Sequence, residues 1–313
     1  MSKILEGKKL ALIIPVYNEG HAITSNFEEI NRILLADEIH AHFLLIDDGS
    51  SDDTWAELKA LSETYATVEA IGFARNFGKE LALCAALDHI EADYYVIMDS
   101  DLQHPPRYIK TMLELMEKEQ VNIVEGVKSN RGKESFFHRL FAVSFYKILK
   151  AITKLDLDNS SDFKLMDRRV VEAIRQFNER NVFFRGLVTW VGFKKIQMPF
   201  EVEERKLGTT HFSPAKLVLT ALNAILAYTS KPLYITVFSG LIFLLFALIL
   251  GVQTLVNYFT GIANDGFSTV ILLLLITGSM MMLSLGMIGI YISRIYDEIK
   301  GRPRYVISER TKK

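Results

Sequence analysis

The 313-residue chain has a single cysteine, Cys84, so an intramolecular disulfide is excluded and a reducing compartment such as the cytosol fits. It also lacks the G-x-G-x-x-G turn of dinucleotide-binding folds. "GFARNFGKE" approaches a phosphate-binding loop and fails on spacing: five residues separate Gly72 from Gly78, and Glu80 stands where Ser or Thr must hold Mg²⁺. His21, His40, His42, His89, His104, His138 and His211 show no metal-ligand spacing, and core or surface roles are the default for most. No internal repeat or low-complexity tract is evident. The formal net charge is −1, so bulk charge says little about partners, and no nucleic acid is expected.

Charge is missing from two long runs, 232–263 and 266–293. Each exceeds the roughly 20 residues that span a hydrocarbon core, and "LIFLLFALIL" and "VILLLLITGSMMML" are apolar on every face. Two transmembrane helices are expected, at 232–256 and 268–293. Lys231 precedes the first, and Arg294, Lys300, Arg302, Arg304, Arg310, Lys312 and Lys313 follow the second, while the loop between carries only Asp265. By the positive-inside rule both ends face the cytoplasm, in a multi-pass protein of the cytoplasmic (inner) membrane. The N-terminal "KKLALIIPVYNEG" has a short apolar run and no small-residue cleavage site, so it reads as a first strand and not a signal peptide.

Before residue 213 the pattern is that of an α/β protein. "KLALIIPVY", "AHFLLIDD", "VEAIGFARN" and "YYVIMDSD" read as strands. Between them lie helical stretches at 23–36, at "TWAELKALSETY" with Thr54 as N-cap, and at "KELALCAALDHI". Such alternation predicts parallel βαβ units. Ligands then sit at the carboxyl ends of the strands, where "YNE", "DDGS", "RNFGKE" and "DSDLQ" cluster. A helix ("RYIKTMLELMEKE") and a strand ("VNIVEGV") follow. Residues 128–150 then carry six basic side chains against one acid, interleaved with aromatics, and read as a basic amphipathic helix at a membrane surface. Ser213 and Pro214 open a further apolar stretch, 213–231, read as an interfacial helix.

"YYVIMDSDLQHPP" poses the chemical question. Strand alternation would put Asp99 and Asp101 on one side and Ser100 on the other. Two close carboxylates repel unless a cation lies between them or one is protonated. Oxygen ligands select a hard cation, Mg²⁺ or Mn²⁺, which typically also takes phosphate oxygens. A metal-bound phosphorylated ligand is therefore expected. Asp47 and Asp48 end the second strand, where either would accept hydrogen bonds from a base or ribose, or cap a turn.

Together, "IIPVYNE", "DDGSSDDT", "RNFGKE", "DSDLQHPP", "DFKLMDRR", "RNVFFRGL" and "ERKLGTTHFS" resemble family 2 glycosyltransferases of the GT-A fold. The closing apolar pair and "YISRIYDEIKGRPRYVI" resemble the polyisoprenyl-phosphate branch, the bactoprenol glucosyltransferase type related to dolichol-phosphate mannose synthases. The Q-x-x-R-W motif of the related processive synthases is not found. The resemblance implies a GT-A catalytic domain (1–212), the interfacial helix, the two spans and a basic cytoplasmic tail (294–313). It implies nucleotide-sugar contacts at Pro15, Tyr17, Glu19, Asp47, Asp99, Gln103 and Arg205. Asp99, Asp101 and Gln103 would hold the metal and diphosphate, and Arg131 and Arg139 the lipid phosphate. Asp162 takes the position proposed as catalytic, alongside Asp101. The family usually has Ala where this chain has Ser100, whose side chain is expected to point away. It often has Ser-Lys where this chain has Thr210-His211, which puts one diphosphate contact in doubt.

The reaction so implied is inverting transfer of a sugar, glucose first, from a UDP-sugar to undecaprenyl phosphate for cell-envelope glycan modification. GlcNAc, GalNAc, a 4-amino-arabinose derivative or GDP-mannose are the alternative donors. Relatives suggest a homotetramer, and a flippase and a downstream glycosyltransferase would use the product. Two rival readings fit parts of the pattern. A haloacid-dehalogenase-type phosphatase also uses D-x-D after a strand, but it needs the motif on an early strand, with Thr or Val where Gln103 stands. A non-catalytic, membrane-anchored nucleotide-sugar binder is the other.

Overall fold

The computed structural model describes residues 5–129, 161–180, 182–201, 231–261 and 266–311. Contacts divide the chain into two units, Met1–Ala221 with Pro303–Lys313, and Leu222–Arg302. The first holds strands β1 (Leu10–Val16), β2 (Ala41–Asp47), β3 (Val68–Phe73), β4 (Tyr94–Ile97), β5 (Ile123–Lys128), β6 (Lys164–Asp167), β7 (Lys195–Phe200) and β8 (Ile307–Arg310). They form one sheet in the order β7-β5-β6-β4-β1-β2-β3-β8. Strands β4, β1, β2 and β3 run parallel, as the βαβ pattern predicts. Strand β6 is antiparallel to both neighbours, and β8 is antiparallel to β3.

Near-continuous apolar strands such as "LALIIPV" mean burial on both faces. Leu10, Leu12, Ile14 and Val16 pack into one cluster with Phe27 and Ile30 of helix α1 (Ile23–Ala36), Leu58 of α2 (Thr54–Thr64) and Met112 of α4 (Tyr108–Glu119). Ala11 and Ile13 face the other way. They join the run Ala82–Leu87 of α3 (Lys79–His89), Val170 of α5 (Arg168–Ile174) and Leu187 of α6 (Phe184–Trp190). The result is a three-layer α/β/α unit with a core on each side of the sheet. Cys84 lies in that second core, and burial pushes its thiol up to about 12.

Strand order reverses at β1, whose neighbours β2 and β4 are reached by crossovers in opposite directions. That switch point opens a crevice at the carboxyl ends of β1 and β4. Next to the β7 edge of the sheet, Gly126 of β5 sits under two aromatic rings. A Cβ there would lie 2.7 Å from Phe163 Cδ1 and 3.1 Å from the Phe200 ring. Gly126→Ala is therefore expected to cost about 1–3 kcal/mol by overpacking, read as a drop in thermal midpoint; an unchanged midpoint would contradict this packing.

The C-terminal stretch read as a tail is divided. Helix α8 (Phe267–Ile299) runs past Ser293 to Ile299, and Ile307–Arg310 add to the sheet as β8. Tyr305 stacks on Phe73 at 5.2 Å, and Arg304 donates to Asp88. The second unit contains α8 and helix α7 (Lys231–Phe259). Within them, Thr236–Asn257 and Leu273–Ile299 are long and apolar enough to cross a membrane. Their large apolar side chains, Phe238, Leu241, Leu274 and Leu283 among them, are exposed, as suits lipid-facing helices.

Candidate active site

Four strand ends build the cleft, of about 340 Å³. From β1 come Pro15 and Val16, and after it Tyr17 and Glu19; after β2, Asp48; after β3, Asn76, Gly78 and Lys79; after β4, Asp99, Ser100 and Asp101. The turns are tied to one another. Ser50 Oγ accepts from Asn18 N–H, and Asn18 Oδ1 accepts from Ser51 N–H. Thr54 is the first helical residue and not the cap; its Oγ1 accepts from Glu19 N–H at 2.9 Å. Gly49, at φ +67°, passes against the Arg75 backbone where a Cβ would lie 2.3 Å from Arg75 C, so only glycine fits.

The two aspartates after β4 are not arranged by strand alternation. Strand β4 ends at Ile97, and Asp99, Ser100 and Asp101 belong to the turn beyond it. Ser100 therefore does not point away: it is buried, lines the cleft and donates to Glu19 Oε2. His104, buried and stacked on Phe163 at 5.2 Å, accepts Asp99 N–H on Nδ1 at 3.0 Å. Burial lowers its pKa, consistent with the neutral ring that this bond requires.

Asp162 lies at the centre of a charge cluster. Lys79 Nζ donates to Asp162 Oδ2 at 2.7 Å and to Asp99 Oδ1 at 2.5 Å. Arg185 approaches the same carboxylate through Nε at 2.6 Å and a terminal nitrogen at 3.0 Å. Burial alone would raise the Asp162 pKa, but the bond and charge of Arg185, then Lys79, hold it well below the usual carboxylate range. For Lys79, burial opposes the charge, and Asp99 and Asp162 outweigh it, so its pKa is raised. Glu80, next in sequence, has its carboxyl pushed up by burial and accepts Phe184 N–H at 2.5 Å.

The expected site residues sort unevenly. Pro15, Tyr17, Glu19, Asp99 and Asp101 line the cleft together. Asp162 joins them through Lys79. Asp47 is buried beneath its own turn, where Oδ1 accepts from the backbone and hydroxyl of Ser50; Asp48 is the cleft residue of that pair. Asp48 in turn accepts from Phe77 and Gly78 N–H, shaping the loop that delivers Lys79. Gln103 contributes its backbone N–H to Asp101 Oδ1 at 3.1 Å, and its side chain is not among the cleft's lining. Arg131, Arg139, Arg205 and His211 lie outside the described residues, as does the proposed interfacial helix up to residue 230. Sequence reasoning assigned no role to Lys79 or Arg185, although both lie inside the quoted "RNFGKE" and "RNVFFRGL".

The donor set suits a hard divalent cation that draws further ligands from phosphate and water. Among the described residues no three His, Cys, Asp or Glu side chains converge to hold a metal by themselves. Asp101 and Asp99 would be the protein's contribution, with one Asp99 oxygen shared with Lys79.

Residues 11–175 match the family described as glycosyl transferase family 2. Across 309 residues the chain is 35% identical to the prophage bactoprenol glucosyl transferase homolog of Escherichia coli (strain K12), covering 97% of this chain and 100% of that protein. The chain belongs to glycosyl transferase family 2. This glycosyltransferase is also 33% identical over 306 residues to the bactoprenol glucosyl transferase of Shigella phage SfX, covering 96% and 99% of the two chains. Among solved structures it resembles glucosyl-3-phosphoglycerate synthase from Mycobacterium tuberculosis, crystallised with Mn²⁺, UDP-glucose and phosphoglyceric acid. That match has a TM-score of 0.50 and 18% identity over 71% of this chain and 79% of the other, a likeness of GT-A fold.

Proposed function

We propose that this glycosyltransferase moves a sugar, glucose in the first instance, from a UDP-sugar to the phosphate of a membrane polyprenyl phosphate with inversion. The observation that carries this reading is near-full-length similarity to bactoprenol glucosyl transferases, apolar helices included. Its setting is the cytoplasmic membrane, with the catalytic unit and both termini on the cytoplasmic side.

Pro15, Tyr17 and Glu19 form the wall against which the nucleotide would seat, and Ser100 fixes the Glu19 carboxylate there. Mg²⁺ or Mn²⁺ at Asp99 and Asp101, when bound, supplies Lewis-acid neutralisation of the leaving diphosphate. A phosphate monoester has a second pKa of about 6, so the acceptor is anionic near neutral pH and needs no strong base. Asp162 fits that demand. Both of its oxygens are engaged by cations, so it acts as a fixed counter-charge that orients Lys79 and Arg185. Arg131 and Arg139 are proposed to grip the lipid phosphate through charge-assisted, bidentate bonds, and Arg205 the diphosphate. A lipid-linked sugar made on one face must be moved across and consumed, which calls for a flippase and a downstream glycosyltransferase.

The test is a panel of radiolabelled nucleotide sugars incubated with the full-length protein and undecaprenyl phosphate. Label from UDP-glucose is expected in the lipid phase and is expected to disappear with EDTA. Asp101→Asn is expected to raise the Mn²⁺ requirement roughly 10–100-fold. Label entering lipid only from another donor would reassign the sugar, and transfer indifferent to EDTA would remove the metal.

A further inference from the structure

Lys79 and Glu80 are adjacent at the start of α3, yet they grip different partners. Lys79 reaches the carboxylates of Asp99 and Asp162. Glu80 Oε2 accepts the backbone N–H of Phe184 at 2.5 Å, across more than a hundred residues of sequence. Phe184 opens helix α6, and the following residue is Arg185, whose guanidinium holds both oxygens of Asp162. The Phe184 ring is itself buried, in the same core as the run Ala82–Leu87. One turn of α3 thus anchors Asp162 directly through Lys79 and indirectly through the helix that brings Arg185.

We propose that Glu80 is a positioning residue for sugar transfer: its carboxylate fixes the start of α6 and thereby sets the approach of Arg185 to Asp162. Glu80 does not line the cleft, so its action passes through Arg185. The geometry gives it a specific task. Buried backbone N–H groups need partners, and a carboxylate on a neutral N–H is a strong, directional one. Without it, the first turn of α6 loses this fixed point, and the Arg185 side chain loses its reference relative to Lys79. Displacements of about 1 Å in such constellations cost up to roughly 100-fold in rate.

This inference rests on the proposed transfer to polyprenyl phosphate for its kinetic readout, so a second readout is independent of substrate. In the full-length protein, Glu80→Ala is expected to lower kcat by roughly 10–100-fold while KM for the UDP-sugar moves by less than about threefold. Glu80→Gln keeps an accepting oxygen and is expected to return kcat to within about threefold of wild type. The second readout is a double-mutant cycle of thermal stability over Glu80→Ala and Arg185→Lys, in which the two changes are expected to be non-additive. Wild-type kcat in Glu80→Ala, or Glu80→Gln as impaired as Glu80→Ala, would overturn the positioning role. So would strict additivity in the cycle. If the wild-type protein transfers no sugar to the lipid, the acceptor reading falls, and the cycle alone decides on Glu80.

Discussion

Asp162→Asn is expected to lower kcat for sugar transfer by roughly 100-fold or more with a much smaller change in donor KM, the signature of an electrostatic contact that matters in the transition state. The variant keeps the shape of the side chain and removes its charge. Lys79 and Arg185 then face an amide, one end of which presents N–H groups to a cation that offers only N–H groups. The pH–rate profile separates this role from general-base catalysis. The wild-type carboxylate is held well below its ordinary range, so it stays ionised throughout the working pH and contributes no acid limb near neutrality. Any limb near pH 6 belongs to the acceptor phosphate and is expected to persist in the residual activity of Asp162→Asn. Loss of that limb in the variant would make Asp162 the base. Stability carries the same sign. A depressed carboxylate pKa contributes stability that is complete above the unfolded value of about 3.9 and is lost as pH falls below it. Asp162→Asn therefore narrows the difference in thermal midpoint between neutral and acidic solution.

What the sequence made legible follows from locality. The first four strands and their intervening helices are continuous apolar segments punctuated by polar turns, and the turns named from the sequence converge as expected on one crevice. Asp99 and Asp101 were readable because acids at the end of an apolar strand are uncommon. Their mutual arrangement was not, because it depends on where β4 stops, and the run to Met98 is apolar without a break. Strand β8 is short and polar, "ISER", and exists only because it completes the edge of β3, more than two hundred residues away. Lys79 and Arg185 had a visible cue, a cation inside each of two quoted motifs, but their convergence on Asp162 is a property of the packed helices α3 and α6. The signal absent from any single stretch was the pairing of charges across elements.

The second large effect lies in the sheet, away from the cleft. Lys164→Met is expected to destabilise the protein by about 3–5 kcal/mol, while Lys164→Met combined with Glu125→Leu is expected to recover most of that loss. Lys164 and Glu125 stand directly opposite each other on β6 and β5, each about 2% exposed, and their side chains form an ion pair. Burial lowers the Lys164 pKa, against the opposing pull of Glu125, so the charged ammonium depends on its partner. Lys164→Met removes this ion pair from Glu125, which also has Lys195 Nζ at 4.0 Å. Removing one member of a buried ion pair leaves charge that the pair no longer compensates, which costs several kcal/mol. The double variant replaces the pair by two apolar side chains in an apolar sheet, which is often neutral or stabilising. At 2–4 °C per kcal/mol for a unit of this size, the single variant is expected to melt about 10 °C lower in detergent solution. A double variant that melts as low as the single one would mean that the pair itself, through its fixed cross-strand geometry, holds β5 to β6. It would also mean that the strand carrying Lys164, two residues beyond Asp162, depends on that geometry to present the Asp162 carboxylate to Lys79 and Arg185.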